Sequence, residues 1–159
     1  MGIAIGPFYV RRSIFIRATP ERVWKEFESQ ERLTAWFGTG HEIVTLEPRV
    51  GGKVDIDIGF VGETGGTKLN RNIHSIGTVL VFDPERELTF ETVWRPGERT
   101  IPQLWTLRIT PLYAGSMVEV IQHGLERFGE EAADLLQGLE QGWDVHHLVA
   151  LRRIIEGDR

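Results

Sequence analysis

His146 and His147 stand side by side near the C-terminal end of the sequence, and they are the first residues to weigh for chemistry. His147 falls near the middle of an apolar helical sector, where an imidazole must find a hydrogen-bond partner or a ligand. A backbone carbonyl is the usual partner, and service as a general acid or base is the alternative. His146 points about 100° away, towards the edge of the same buried face. Neighbouring histidines on a helix do not readily share one metal ion, and no His-x-x-x-His pair occurs, so no metal is expected. Asp55 and Asp57 resemble a metal pair, but they share the polar face of a strand with Lys53 and are expected to be solvated. His41 and His74 adjoin glycine-rich or flexible stretches and carry no signal.

The serines, Ser13, Ser29, Ser75 and Ser116, have no nucleophile-elbow context, and no G-x-S-x-G or phosphate-cradling loop is present. Cysteine is absent, which removes disulfides, thiol nucleophiles and thiolate metal sites. Classical hydrolase and nucleotide-dependent chemistry are therefore disfavoured, and no cofactor is expected. What the sequence offers instead is aromatic surface. Of the five tryptophans, Trp94, Trp105 and Trp143 fall on inward faces of the expected elements. Each alone reads first as core filling, whereas together they point to an aromatic-lined cavity. Gln122 shares a face with Val118 and Val120, and Gln103 shares one with Trp105. Their amides either orient a ligand or mark strand ends that touch water.

The elements that would hold these residues follow from periodicity. Val10, Ile14 and Ile16 alternate with polar residues from Tyr9 to Arg17, a strand with one buried face. Thr19 and Pro20 then open a short helix whose stripe is Val23, Trp24 and Phe27, with Arg22, Lys25, Glu26 and Glu28 towards water. A second short helix spans Glu31 to Trp36. Strands are expected at Ile43–Leu46 and Lys53–Ile58 around a Gly51–Gly52 turn, and Gly59–Asn72 reads as a mobile loop. Ile73–Phe82, Leu88–Trp94, the Trp105 strand and Met117–Gly124 make an antiparallel meander. From Glu130 to Glu156 the period becomes helical: Leu136, Leu139, Trp143, His147, Ala150, Leu151 and Ile154 share one sector, opposite Asp134, Arg152 and Glu156. At 1.5 Å per residue this helix would reach about 40 Å, so it must lie across the sheet.

The 159 residues suit one folded unit, 1–159. With 41% hydrophobic and 26% charged residues the chain can bury its own core, which excludes disorder. The net charge of -5 and the lack of basic runs argue against nucleic acid as a partner. No apolar run approaches a membrane span, and the start of the chain lacks a secretory pattern, so a cytoplasmic protein is expected.

Ile14-x-Ile16-x-Ala18-Thr19-Pro20-Glu21-Arg22-Val23-Trp24 and Leu33-x-x-Trp36-Phe37 resemble the opening of the START-like, birch-pollen-allergen-like helix-grip superfamily (SRPBCC). Gly51-Gly52-Lys53-Val54, Gly77-x-Val79, Asp83-Pro84-Glu85-Arg86-x-Leu88-x-Phe90, and Gly142-Trp143 with Leu148 and Leu151 are similar to the family named after the activator of heat-shock protein 90 ATPase. The likeness implies an α+β helix-grip fold: a curved antiparallel sheet of about six or seven strands, two short helices after the first strand, and a long C-terminal helix gripped by the sheet. It also implies an apolar cavity, with Trp36 and Phe37 near its mouth, and it covers members of very different activities. The expected function is binding of a hydrophobic or aromatic small molecule by Trp36, Phe37, Trp94, Trp105, Gln122, Leu139, Trp143 and His147. The alternatives are a cyclase or dehydratase using the same cavity and a chaperone-interacting, stress-related protein. A homodimer through the exposed sheet face is left open.

Overall fold

The computed structural model describes residues 9–37, 42–57, 60–61, 69–70, 74–94, 100–124 and 147–157. The first alternating segment forms β1 (Tyr9–Ile16), with Val10 and Ile16 buried and Tyr9, Arg11, Ser13 and Phe15 outward. Thr19 ends the extended chain and caps α1 (Pro20–Trp24), its Oγ1 accepting from the Arg22 amide at 3.2 Å. Pro20 takes the first helical position, where its missing N–H leaves nothing unpaired. Ser29 repeats the device for α2 (Gln30–Phe37), accepting from the Arg32 amide at 3.2 Å.

The strands that follow are β2 (Glu42–Leu46), β3 (Lys53–Asp57), β4 (Phe60–Val61), β5 (Leu69–Asn70), β6 (His74–Asp83), β7 (Glu87–Trp94), β8 (Ile101–Leu112) and β9 (Gly115–His123). Seven of them form one antiparallel sheet in the order β1-β9-β8-β7-β6-β3-β2. The meander accounts for β6 to β9, and β1 closes onto β9 from the start of the chain. Register irregularities at Ile43/Thr45 and Val79/Val81 increase local twist and bend, which curves the sheet. Its inner face carries Val10, Ile16, Val54, Ile56, Val79, Leu88, Phe90, Trp105, Leu107, Ile109, Val118 and Val120, all in one buried cluster with both short helices.

The outer face carries a run of charge across four neighbouring strands. Arg11, Glu119, Arg108 and Glu87 run across β1, β9, β8 and β7 as a ladder of alternating charge, with N···O distances of 2.7, 3.3 and 3.2 Å. Opposite charges on adjacent strands each stabilise the pairing by a few tenths of a kcal/mol, up to about 1.

The C-terminal helix is α3 (Val149–Glu156), and Leu148 already has helical angles of φ -68° and ψ -37°. The expected stretch from Glu130 to His146 lies outside the described residues. Leu148 and Leu151 are buried and Ile155 packs on the core, whereas Ile154 is 39% exposed. His147, Ala150 and Leu151 of the expected sector do face the core, and the buried stripe extends to Leu148 and Ile155 in place of Ile154. Glu156 ties this helix to the start of the fold, its Oε2 accepting from the Arg17 amide at 3.1 Å.

Three expectations are corrected. Part of the Gly59–Asn72 segment is not loop: β4 and β5 pair antiparallel, Phe60 with Asn70 and Val61 with Leu69. Glu26 does not face water; it is 2% exposed because two arginines bring their charge to it. Asp57 is likewise buried rather than solvated, and Asp55 is engaged by His74 at 2.7 Å.

Candidate functional site

The site is built on the α1–α2 corner. Glu26 Oε1 accepts from Arg22 Nη1 at 3.0 Å and from Arg32 Nη1 at 2.7 Å, clamping the end of α1 to the start of α2. The Glu26 carbonyl accepts the indole N–H of Trp36 at 3.1 Å, so the same residue sets the angle of that ring. Thr34 Oγ1 donates towards the Gln30 carbonyl at 2.8 Å and the Ile43 carbonyl at 3.2 Å, fixing α2 against β2. Leu33, Trp36 and Phe37, spaced i, i+3 and i+4, then face inwards together.

From this corner a continuous chain of rings crosses the interior. Centroid separations are 5.8 Å for Trp24–Phe27, 5.5 Å for Phe27–Trp36, 5.4 Å for Trp36–Phe37, 5.8 Å for Phe37–Trp105 and 6.0 Å for Trp105–Phe90. These spacings and their mostly tilted geometries fall in the favourable range for aromatic pairs. The His147 ring joins at 5.8 Å from Phe37, and its Nδ1 lies 3.3 Å from the Trp36 carbonyl oxygen. If Nδ1 carries the proton and donates it there, Nε2 is the basic nitrogen. Gln122 sits directly opposite Trp105 in the β8–β9 register and is buried.

Of the residues expected to line a site, the structure therefore brings Trp36, Phe37, Trp105, Gln122 and His147 into one interior region. Trp36 and Phe37, expected near a cavity mouth, are wholly buried where α2, β8 and the C-terminal helix meet. Trp94 belongs to β7, but its side chain lies outside the described residues, as do Leu139 and Trp143.

Sequence reasoning weighed Gln103 on the inner face but missed the buried hydroxyls beside it, Ser75 and Thr92. Trp105 Nε1 donates to Thr92 Oγ1 at 3.0 Å, and Ser75 Oγ donates to Gln103 Oε1 at 3.4 Å. Their signal was a polar residue recurring on an otherwise apolar strand face, as Thr92 does after Leu88 and Phe90. His74 was also missed. Its hydrogen bond to Asp55 raises its pKa above the usual 6.5; desolvation opposes this, and the charges of Asp55 and Asp57 reinforce it. That pair lies on the outer face of β3 and β6, away from the ring chain.

Two open clefts of about 500 and 410 Å³ adjoin the α1 N-terminus and the β6–β7 turn and share Pro84 and Glu85. One is lined by Pro20, Asp83, Arg86 and Pro111, the other by Glu21, Trp24, Lys25, Glu28 and Phe82. Their mixed charge and openness are unlike the enclosed apolar pockets that hold small molecules. Among the described residues no group of three or more His, Cys, Asp or Glu side chains could hold a metal ion, and no helix is long and apolar enough to cross a membrane.

Residues 17–156 match the family model for Activator of Hsp90 ATPase homolog 1-like protein. The chain belongs to that family. Solved structures show the same fold for this Hsp90-activator-homologue-like chain. Protein CV1439 from Chromobacterium violaceum is 21% identical, with a TM-score of 0.69 over 96% of this chain and 100% of its own. The Aha1 dimer from Colwellia psychrerythraea, solved in solution, is 15% identical with a TM-score of 0.64, covering 94% of this chain and 96% of its own. DynU16, from the dynemicin biosynthetic locus, is 17% identical with a TM-score of 0.69, covering 96% of this chain and 48% of its own. No curated protein matches the chain. At these identities the likeness establishes the helix-grip fold and leaves function to the site itself.

Proposed function

We propose that this protein binds an apolar or aromatic small molecule between the inner face of the sheet and the C-terminal helix. The observation that carries the reading is the meeting of Phe37, Trp105 and His147, from α2, β8 and the C-terminal helix, with ring separations of 5.8 Å. Rings from three elements converge there beside the buried amide of Gln122, a composition suited to packing a flat ligand and orienting it. Trp94, Leu139 and Trp143 complete the proposed lining.

Removing each 100 Å² of apolar ligand surface from water contributes roughly 2.5 kcal/mol before the costs of association, and only the surplus over those costs appears as affinity. The test is titration of the folded protein with 2-acetylnaphthalene, trans-stilbene and palmitate, followed by tryptophan fluorescence and native mass spectrometry. Saturable one-to-one binding of at least one of these is expected. Failure of all three to bind saturably refutes the proposal.

A further inference from the structure

Three buried polar side chains lie together on the inner face of the sheet. Ser75 on β6 is 0% exposed, Thr92 on β7 is 0% and Gln103 on β8 is 5%. Thr92 and Gln103 are direct cross-strand partners, and Gln103 reaches across β7 to accept from Ser75 Oγ at 3.4 Å, a long hydrogen bond. Thr92 Oγ1 accepts from Trp105 Nε1, which sets this group against the ring chain.

The donors and acceptors do not balance. The Gln103 carboxamide uses its oxygen on Ser75, and among the described residues its N–H₂ group has no acceptor. Thr92 uses its oxygen on Trp105, and among the described residues its own O–H has no acceptor either. Among the described residues, two donors are thus buried side by side with no acceptor, an arrangement that costs stability unless something else supplies one.

We infer that Thr92 and Gln103 form a subsite for a neutral acceptor oxygen, such as the carbonyl of an aryl ketone, quinone or lactone, on the molecule bound against the ring chain. The inference rests on the binding function proposed above and specifies the chemistry of its ligand. A carboxylate is the wrong match, because the subsite itself carries no charge. Among the described residues the arginine on the inner sheet face is Arg12. It stands on β1, two strands across from β8, with its β9 partner Val120 opposite Leu107. Leu107 is four residues along β8 from Gln103, which puts Arg12 roughly 16 Å away at ordinary strand spacings.

The test compares 2-acetylnaphthalene with 2-isopropylnaphthalene, which has the same shape without the oxygen, and with 2-naphthoate. The acetyl compound should bind about tenfold more tightly than the isopropyl compound, the scale of one satisfied buried hydrogen bond, and 2-naphthoate should gain no advantage over it. In Gln103→Leu the ratio of the two neutral affinities should fall most of the way to one. Equal affinity of the wild-type protein for the two neutral probes, as an ordered water satisfying both donors would produce, overturns the subsite and leaves the binding function standing. Tighter binding of 2-naphthoate overturns the neutral class. Failure of both neutral probes to bind while trans-stilbene or palmitate binds overturns the subsite and leaves the binding function standing. A measurement on the unliganded protein is independent of any probe: Ser75→Ala/Gln103→Leu removes the Ser75 donor together with its acceptor, puts apolar groups in place of the unsatisfied amide, and should raise Tm by roughly 2–4 °C. A fall in Tm would show the amide to be satisfied within the fold and would overturn the inference.

Discussion

Replacing Glu26 with Gln keeps the shape of the side chain and removes its charge. The carboxylate is 2% exposed, and one oxygen receives Arg22 at 3.0 Å and Arg32 at 2.7 Å. At an effective dielectric near 20, each such pair is worth roughly 4 kcal/mol of gross attraction. The arginines are 37% and 55% exposed, so water competes for them and most of that attraction is offset. Breaking a fully buried pair costs about 3–5 kcal/mol, and exposed pairs contribute under 1. Glu26, buried while its partners are half in solvent, falls between, and Glu26→Gln should cost about 1–3 kcal/mol. For a domain of this size that is a Tm decrease of roughly 2–12 °C. Urea unfolding followed by tryptophan emission measures it, and because the carboxylate is shielded, about 0.5 M NaCl should leave most of the difference in place. Trp36 should report the loss as well, since its indole N–H is held by the Glu26 carbonyl. A change below about 0.5 kcal/mol, or one that vanishes in salt, would refute the argument that this clamp is buried and holds the α1–α2 corner.

Two further predictions concern the sheet. His74 has a raised pKa through its hydrogen bond to Asp55, so the ion pair's contribution is complete below about pH 6.5 and is lost as pH rises through the folded-state value. The Tm difference between wild type and His74→Gln should accordingly be larger at about pH 6 than at about pH 9, and a difference independent of pH would contradict the pairing. Gly77 lets β6 approach β7 closely: a Cβ added there would collide with the Glu91 carbonyl oxygen. Because the obstacle is backbone, Gly77→Ala should cost about 3 kcal/mol or more by chemical denaturation, whereas a cost under about 1 kcal/mol would mean the strands separate freely.

Much of the fold was legible because its signals are local. Thr19-Pro20 marks a helix start through hydrogen-bond chemistry, and the alternation in β3 and β8 shows which side chains face the core. The aromatic residues were legible as inward-facing, and Trp36, Phe37, Trp105 and His147 do converge. The burial of Glu26 was not legible, because it depends on Arg32 arriving from the next helix. Local amphipathicity placed a charged residue in water, and tertiary charge pairing overrode it. Asp57 and His74 were misread for the same reason, since their environment comes from pairing of β3 with β6 across the Gly59–Asn72 segment. The Ser75–Thr92–Gln103 group was visible only as scattered polar residues until the β6–β7–β8 register aligned them.

The central claim is most directly tested by the crystal structure of this protein grown with 2-acetylnaphthalene. The account predicts density for the naphthalene between sheet and C-terminal helix, in contact with Phe37, Trp105 and His147, and with its carbonyl oxygen directed to Thr92 and Gln103. An interior filled entirely by protein side chains, with the compound absent or lodged only in the cleft of Pro20, Pro84 and Pro111, would contradict it.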